Sequence, residues 1–77
     1  MIAMDIIVSL HGVLRIDRFK KEIRSYPVGS CVQNIIEDLQ ISQVLLGIIL
    51  INEVHANSDS LLHDGDTLML LPLLEGG

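Results

Sequence analysis

A chain of 77 residues, 49% of them hydrophobic, is one small domain whose apolar content exceeds what so small a body hides, which points to a partner surface. With a net charge of −5, one Tyr, one Phe and no Trp, it lacks the field and the stacking groups of a nucleic-acid binder. The single cysteine, Cys31, excludes an internal disulfide, and the longest uncharged apolar stretch, Ile41 to Ile51, falls well short of the roughly 20 residues of a membrane-spanning helix. No basic segment precedes the apolar N-terminal stretch, which Asp5 interrupts, so a cytoplasmic protein without membrane contact is expected.

Ile2, Met4, Ile6, Val8 and Leu10 alternate along the first segment, the period of a half-buried strand. A turn around Arg15 to Arg18 leads into Phe19 to Tyr26, predicted as the second strand of a hairpin with Phe19 and Ile23 on one face. All five basic residues, Arg15, Arg18, Lys20, Lys21 and Arg24, fall in this stretch beside only Asp17 and Glu22; the remainder holds eight acids and no base. Lysine there suits a solvated hairpin edge, where charge blocks unwanted strand pairing. Association is expected to be steered by the acidic remainder towards a basic partner groove.

Pro27 and Gly29 end the hairpin, and Ser30 with Gln33 three residues on signals a capping box. Val32, Ile35, Ile36 and Leu39 then form one apolar stripe, with Gln33, Asn34, Glu37 and Asp38 turned away, predicting an amphipathic helix that packs on the hairpin. After Gly47, the run Ile48-Ile49-Leu50-Ile51 lacks alternation and predicts an interior strand buried on both faces. Val54 to Ala56 is a short edge piece, Leu61 to Asp66 a loop closing in a tight Asp64-Gly65 turn, and Thr67 to Leu71 the last strand. The order β-β-α-β-(β)-β predicts an α+β domain over residues 1–77, a mixed sheet of four or five strands curled around one helix.

The chain then closes on Leu73-Leu74-Glu75-Gly76-Gly77. Two residues without side chains let a terminal carboxylate enter a channel too narrow for any Cβ. Pro72 fixes its own φ and biases Leu71 towards an extended backbone, directing a flexible tail, from about Leu73 to Gly77, away from the sheet. Extended, those five residues span at most about 16–18 Å.

The Gly76-Gly77 end, the Leu62-His63-Asp64-Gly65-Asp66 turn and the strand-Pro72-apolar-Gly-Gly tail resemble the ubiquitin-like sulfur carriers, comprising the small subunit of molybdopterin synthase and the sulfur carrier of thiamine biosynthesis. The resemblance runs over essentially the whole chain and implies a β-grasp fold. It implies a carrier, not an enzyme, that binds no cofactor or metal: an E1-like adenylyltransferase uses ATP to adenylate the Gly77 carboxylate, and a sulfur donor system converts it to a thiocarboxylate. Sulfur then passes to the molybdopterin synthase large subunit or to thiazole synthase. The long first hairpin and the placing of Pro72 favour the molybdenum- or tungsten-cofactor route. Leu70, Leu71, Pro72, Leu73 and Leu74 are implied as the partner interface, with Glu75, Gly76 and Gly77 as the inserted end. Leu70 and Leu71 stand where aromatic residues often occur in the molybdopterin-pathway members, and Glu75 replaces a small residue. A protein modifier that forms isopeptide bonds, or a non-catalytic β-grasp binding module, are the alternatives.

Other residues have plainer roles. Cys31 is expected as a small structural residue at the first helical turn. His11, His55 and His63 lack metal-ligand spacing, and Asp64 and Asp66 make a turn without the series of a calcium loop.

Overall fold

In a computed structural model, which describes residues 3–73, the alternating first segment forms strand β1, Ala3–Leu10. Met4, Ile6, Val8 and Leu10 all point into the core, and fully burying each contributes about 1.5–3 kcal/mol. A 3₁₀ turn, Gly12–Arg15, comes next, and β2, Lys21–Pro27, pairs antiparallel with β1. Helix α1, Val32–Asp38, crosses to β3, Leu46–Ile51, and the short β4, Val54–His55; β5, Thr67–Pro72, then enters between β1 and β3. The sheet order is β2-β1-β5-β3-β4, with β1 parallel to β5 and the other pairs antiparallel. Val32, Ile35 and Ile36 of α1 meet the inner sheet face formed by β1 with Leu68 and Leu70, while Leu39, Leu46, Ile49, Ile51 and Phe19 close the sides. This five-stranded sheet around one helix is the β-grasp α+β architecture.

The predicted face of β2 is corrected by register. Cross-strand partners share a face: Met4 opposes Tyr26 and Ile6 opposes Arg24 on the inner side, so Ile23, opposite Ile7, faces outward and is exposed. Phe19 precedes the strand and packs against the core from the loop, with the Arg24 guanidinium 5.4 Å from its ring centre. Arg24 also donates to Glu22 at 2.7 Å and to the Tyr26 hydroxyl at 3.1 Å, and that hydroxyl donates to Asp38 Oδ2 at 3.1 Å, joining β2 to α1.

The helix start is likewise one residue later than expected. Ser30 Oγ donates to the Pro27 carbonyl at 2.7 Å, and the Ser30 carbonyl accepts the Leu62 amide, so residue 30 stays in the extended chain. The N-cap is Cys31, whose amide donates to Asn34 Oδ1 at 2.8 Å. Gln33 reaches along the helix to Glu37 instead. At the other end, Gln40 has φ 57° and Arg18 caps the helix, donating to the carbonyls of Leu39 at 3.0 Å and Gln40 at 2.9 Å. Arg18 and Arg24 are therefore structural, while Arg15, Lys20 and Lys21 stay on the solvated edge.

Strand β3 is not buried on both faces. Among the described residues only α1 covers the sheet and none lies over its outer face, and β4 pairs with only Leu50 and Ile51; Ile48 is exposed. In the sheet order β3 is nonetheless an interior strand, between β5 and β4, as β1 and β5 are.

Candidate functional site

Strand β5 has two dissimilar ends. At its start, the Asp64-Gly65 turn, with Gly65 at φ 89°, sits across β1: the Asp5 amide donates to Asp64 Oδ1 at 2.8 Å, and the Gly65 amide to the Asp5 carbonyl at 2.9 Å. Asn52 in the β3–β4 turn accepts the Thr67 amide at 3.0 Å and donates to Asp66 Oδ1 at 2.9 Å, while Asp66 Oδ2 accepts the His63 amide. Both carboxylates serve the turn, as the sequence suggests.

The far end is built by close backbone approach. Gly12, at φ 57°, lies against Pro72, where an added Cβ would stand 2.9 Å from the proline Cγ. A Cβ on Gly47 would stand 2.8 Å from the Pro72 carbonyl oxygen and 2.9 Å from Leu73 Cα. The register shifts between Leu46 and Ile48, a β-bulge at Gly47, and the Leu73 amide donates to the Leu45 carbonyl at 2.8 Å. Two glycines thus clamp the end of β5 and hold Leu73 at the rim.

Of the five residues expected to meet a partner, Leu70 is corrected: it is fully buried and packs in the core, because it pairs with the inner-facing Leu10. Leu71 lies on the opposite, outer face, half-buried, opposite Ile48; Pro72 is half-buried and Leu73 exposed. Leu74, Glu75, Gly76 and Gly77 lie outside the described residues. The register also puts Ile7, Ile23, Ile48, Leu50 and Met69 on the face of Leu71, an apolar band across four strands that no layer of the described residues covers. Sequence reasoning missed this band because its residues are spread over several strands, and only pairing aligns them. It also missed the exposed Val13, Ile16 and Leu45, which two separate turns bring to one groove; the carbonyl of Leu45 is the one that accepts the Leu73 amide.

The remaining candidates stay apart. Cys31 is half-buried and bridges to Leu61, His11 Nε2 lies 3.2 Å from Ser9 Oγ, His55 is on β4 and His63 beside Asp66. Among the described residues, no three His, Cys, Asp or Glu side chains gather as metal donors, and no helix is long and apolar enough to cross a membrane.

No protein-family model and no curated protein matches the chain in sequence. Solved structures match in fold. A Haloferax volcanii protein studied in solution superposes with a TM-score of 0.79 at 16% identity, over 97% of this chain and 88% of that one. A Pyrococcus furiosus protein described as molybdopterin converting factor, subunit 1, gives 0.76 at 20% identity, over 92% of this chain and 99% of that one. A chain of the Helicobacter pylori complex of subunits 1 and 2 of molybdopterin-converting factor gives 0.66 at 21% identity, over 96% and 100%. The chain has the ubiquitin-like β-grasp fold of these proteins.

Proposed function

We propose that the protein is a sulfur carrier whose Gly77 carboxylate is adenylated and then converted to a thiocarboxylate that supplies sulfur for molybdopterin. The observation that carries this reading is the clamped end of β5: Gly12 and Gly47 fix Pro72 and Leu73 at the rim, close before a Gly-Gly pair. A folded handle that holds its last strand rigidly presents the residues beyond that strand to another protein's active site at little further cost in entropy. Two proteins of the same fold bear the name of molybdopterin converting factor, one of them in a complex of subunits 1 and 2, which supports a large-subunit partner and the molybdopterin route over the thiazole route.

The chemistry places the catalysis elsewhere. A carboxylate is a poor electrophile because expelling oxide is unfavourable. Attack of its oxygen on the α-phosphorus of ATP, in a partner enzyme, releases pyrophosphate and leaves an acyl adenylate. Hydrosulfide supplied by the donor system adds to that carbonyl, AMP departs and a proton is lost, leaving the thiocarboxylate as the nucleophile of the next step. The carrier needs neither general base nor metal for this cycle; it is a co-substrate.

Reconstitution tests the reading. With an E1-like adenylyltransferase, ATP and a sulfur donor, the chain should acquire one oxygen-to-sulfur exchange, located by mass spectrometry in its C-terminal fragment. A chain with one residue added after Gly77 should acquire none, because the carboxylate is displaced from its reacting position. Equal modification of the extended chain refutes the carrier mechanism, and transfer of Gly77 to a lysine instead of to sulfur assigns the chain as a protein modifier.

A further inference from the structure

The outer face of the sheet is flanked by two opposite charges that stay apart within one chain. Lys21, at the start of β2, and Glu53, in the β3–β4 turn, line one shallow depression with Ser9, Asn52, Thr67 and Met69. Three strand spacings of about 4.8 Å separate β2 from β3, so roughly 14 Å lies between the two sides. Both residues are exposed, and among the described residues neither forms an ion pair. Glu53 also stands where a side chain is disfavoured. Asn52 and Glu53 form a two-residue turn at φ 52° and 70°, a pair of left-handed conformations whose second position ordinarily takes glycine. A carboxylate held there in spite of its backbone, on the rim of an uncovered apolar face, points to a partner outside its own chain.

We infer that the outer sheet face is a two-fold interface between two copies of this chain. Symmetry selects the occupant. In the order β2-β1-β5-β3-β4 the middle strand is β5, and a two-fold axis laid along it, between two facing sheets, puts β1 over the partner's β3 and β2 over the partner's β4. Lys21 then meets the partner's Glu53 and Glu53 the partner's Lys21, so a single contact, made twice, pairs both charges. Register sets Lys21, Ser9, Met69, Leu50 and His55 in one row across the sheet, with Met69 at its centre; Met69 therefore lies at the axis against its own counterpart, as does Leu71 further along the same strand. Facing sheets pack about 10 Å apart with strands within about 30° of aligned, a gap that a Lys and a Glu side chain together bridge. Closure also covers Ile23 and Ile48, which are 67% and 42% exposed in the single chain. A face that is basic on one flank and acidic on the other, about an apolar centre, is complementary to itself. The inference does not rest on the carrier reading. The dimer buries Leu71, so a partner that takes this face displaces one copy, while both Leu73 ends emerge side by side at one end of the interface.

Sedimentation equilibrium of the full chain tests this. The wild type should show a reversible monomer–dimer equilibrium with Kd below about 1 mM. Lys21→Glu and Glu53→Lys each set like charges against each other across the axis, and each should weaken the dimer at least about 10-fold. Mixed in equal amounts, the two variants should dimerise as the wild type does, because every contact in the mixed dimer again joins opposite charges. Ile48→Glu should abolish the dimer, and mixing with either charge variant should not restore it. All three positions are exposed, and thermal unfolding shows that each variant is folded. A wild type that stays monomeric at about 1 mM overturns the interface and leaves the face to a partner of other chemistry. Folded charge variants that dimerise like the wild type, or a mixture no tighter than its components, overturn the two-fold pairing.

Discussion

The two ends of β5 solve opposite problems with different chemistry. At Thr67 the strand begins in a web of polar bonds: Asp64, Asp66 and Asn52 accept from backbone amides of three segments. At Leu73 it ends against two glycines with a backbone hydrogen bond to Leu45, and the residues around it are apolar and exposed. The first end closes the fold. The second leaves apolar area uncovered that a lone 77-residue domain has no reason to expose, as expected of a surface completed by a partner.

The sharpest way to break this comparison uses adjacent leucines. Leu70→Glu puts an unpaired charge into the centre of the core and should abolish cooperative unfolding altogether. Leu71→Glu, on the outer face, should keep stability within about 1 kcal/mol of wild type, yet weaken the proposed complex with a molybdopterin synthase large subunit by about 2 kcal/mol or more. Thermal melts and a binding titration separate the two. A Leu71→Glu chain that binds normally removes the outer face from the interface.

That pair also shows what the sequence makes legible. The alternation of β1, the stripe of α1, the Asp64-Gly65 turn and the element order are all local patterns, and each survives in the structure. What fails depends on pairing. Leu70 and Leu71 are chemically identical, and only the register with Leu10 decides which one is buried. Ile23 goes outward with its partner Ile7 for the same reason. The run Ile48 to Ile51 would suit a strand between two layers just as well as one in a sheet covered on one side. The cap moves from Ser30 to Cys31 because Leu62, far along the chain, claims the Ser30 carbonyl. Gly76-Gly77 and Pro72 announce a special end in sequence, but the groove of Val13, Ile16 and Leu45 does not, since two turns assemble it.

Smaller substitutions sharpen the contrast between the ends. Gly47→Ala forces a methyl against the Pro72 and Leu73 backbone and should cost about 1–3 kcal/mol. It should also slow adenylation, because Leu73 moves. Asn52→Ala, at the polar end, loses two hydrogen bonds and should cost about 1–2 kcal/mol, with adenylation kinetics unaltered below the melting temperature. Denaturant unfolding alongside pyrophosphate release measures both. Equal kinetic effects from the two variants would erase the functional difference between the ends.

The smallest effect lies at the β2–α1 junction, away from either end. Burial, opposed by the bond from Arg24 and aided by the bond to Asp38, pushes the Tyr26 hydroxyl above its ordinary pKa near 10. A folded value above the unfolded one means that the associated stability is present below about pH 10 and is lost as the pH rises through the folded value. Tyr26 is the only tyrosine, so tyrosinate absorbance reports it directly. Its midpoint should lie above about 10 in the folded protein and return to about 10 in denaturant, whereas identical midpoints would show that the junction is open to water.

The central claim, that Gly77 is a sulfur-bearing carboxyl end, is tested most directly by intact-protein mass spectrometry of the protein isolated from its own cells. The account predicts a population ending at Gly77 with one oxygen replaced by sulfur, the change confined to the C-terminal fragment. Sulfur found on Cys31 instead, or a native chain that continues past Gly77, would contradict it.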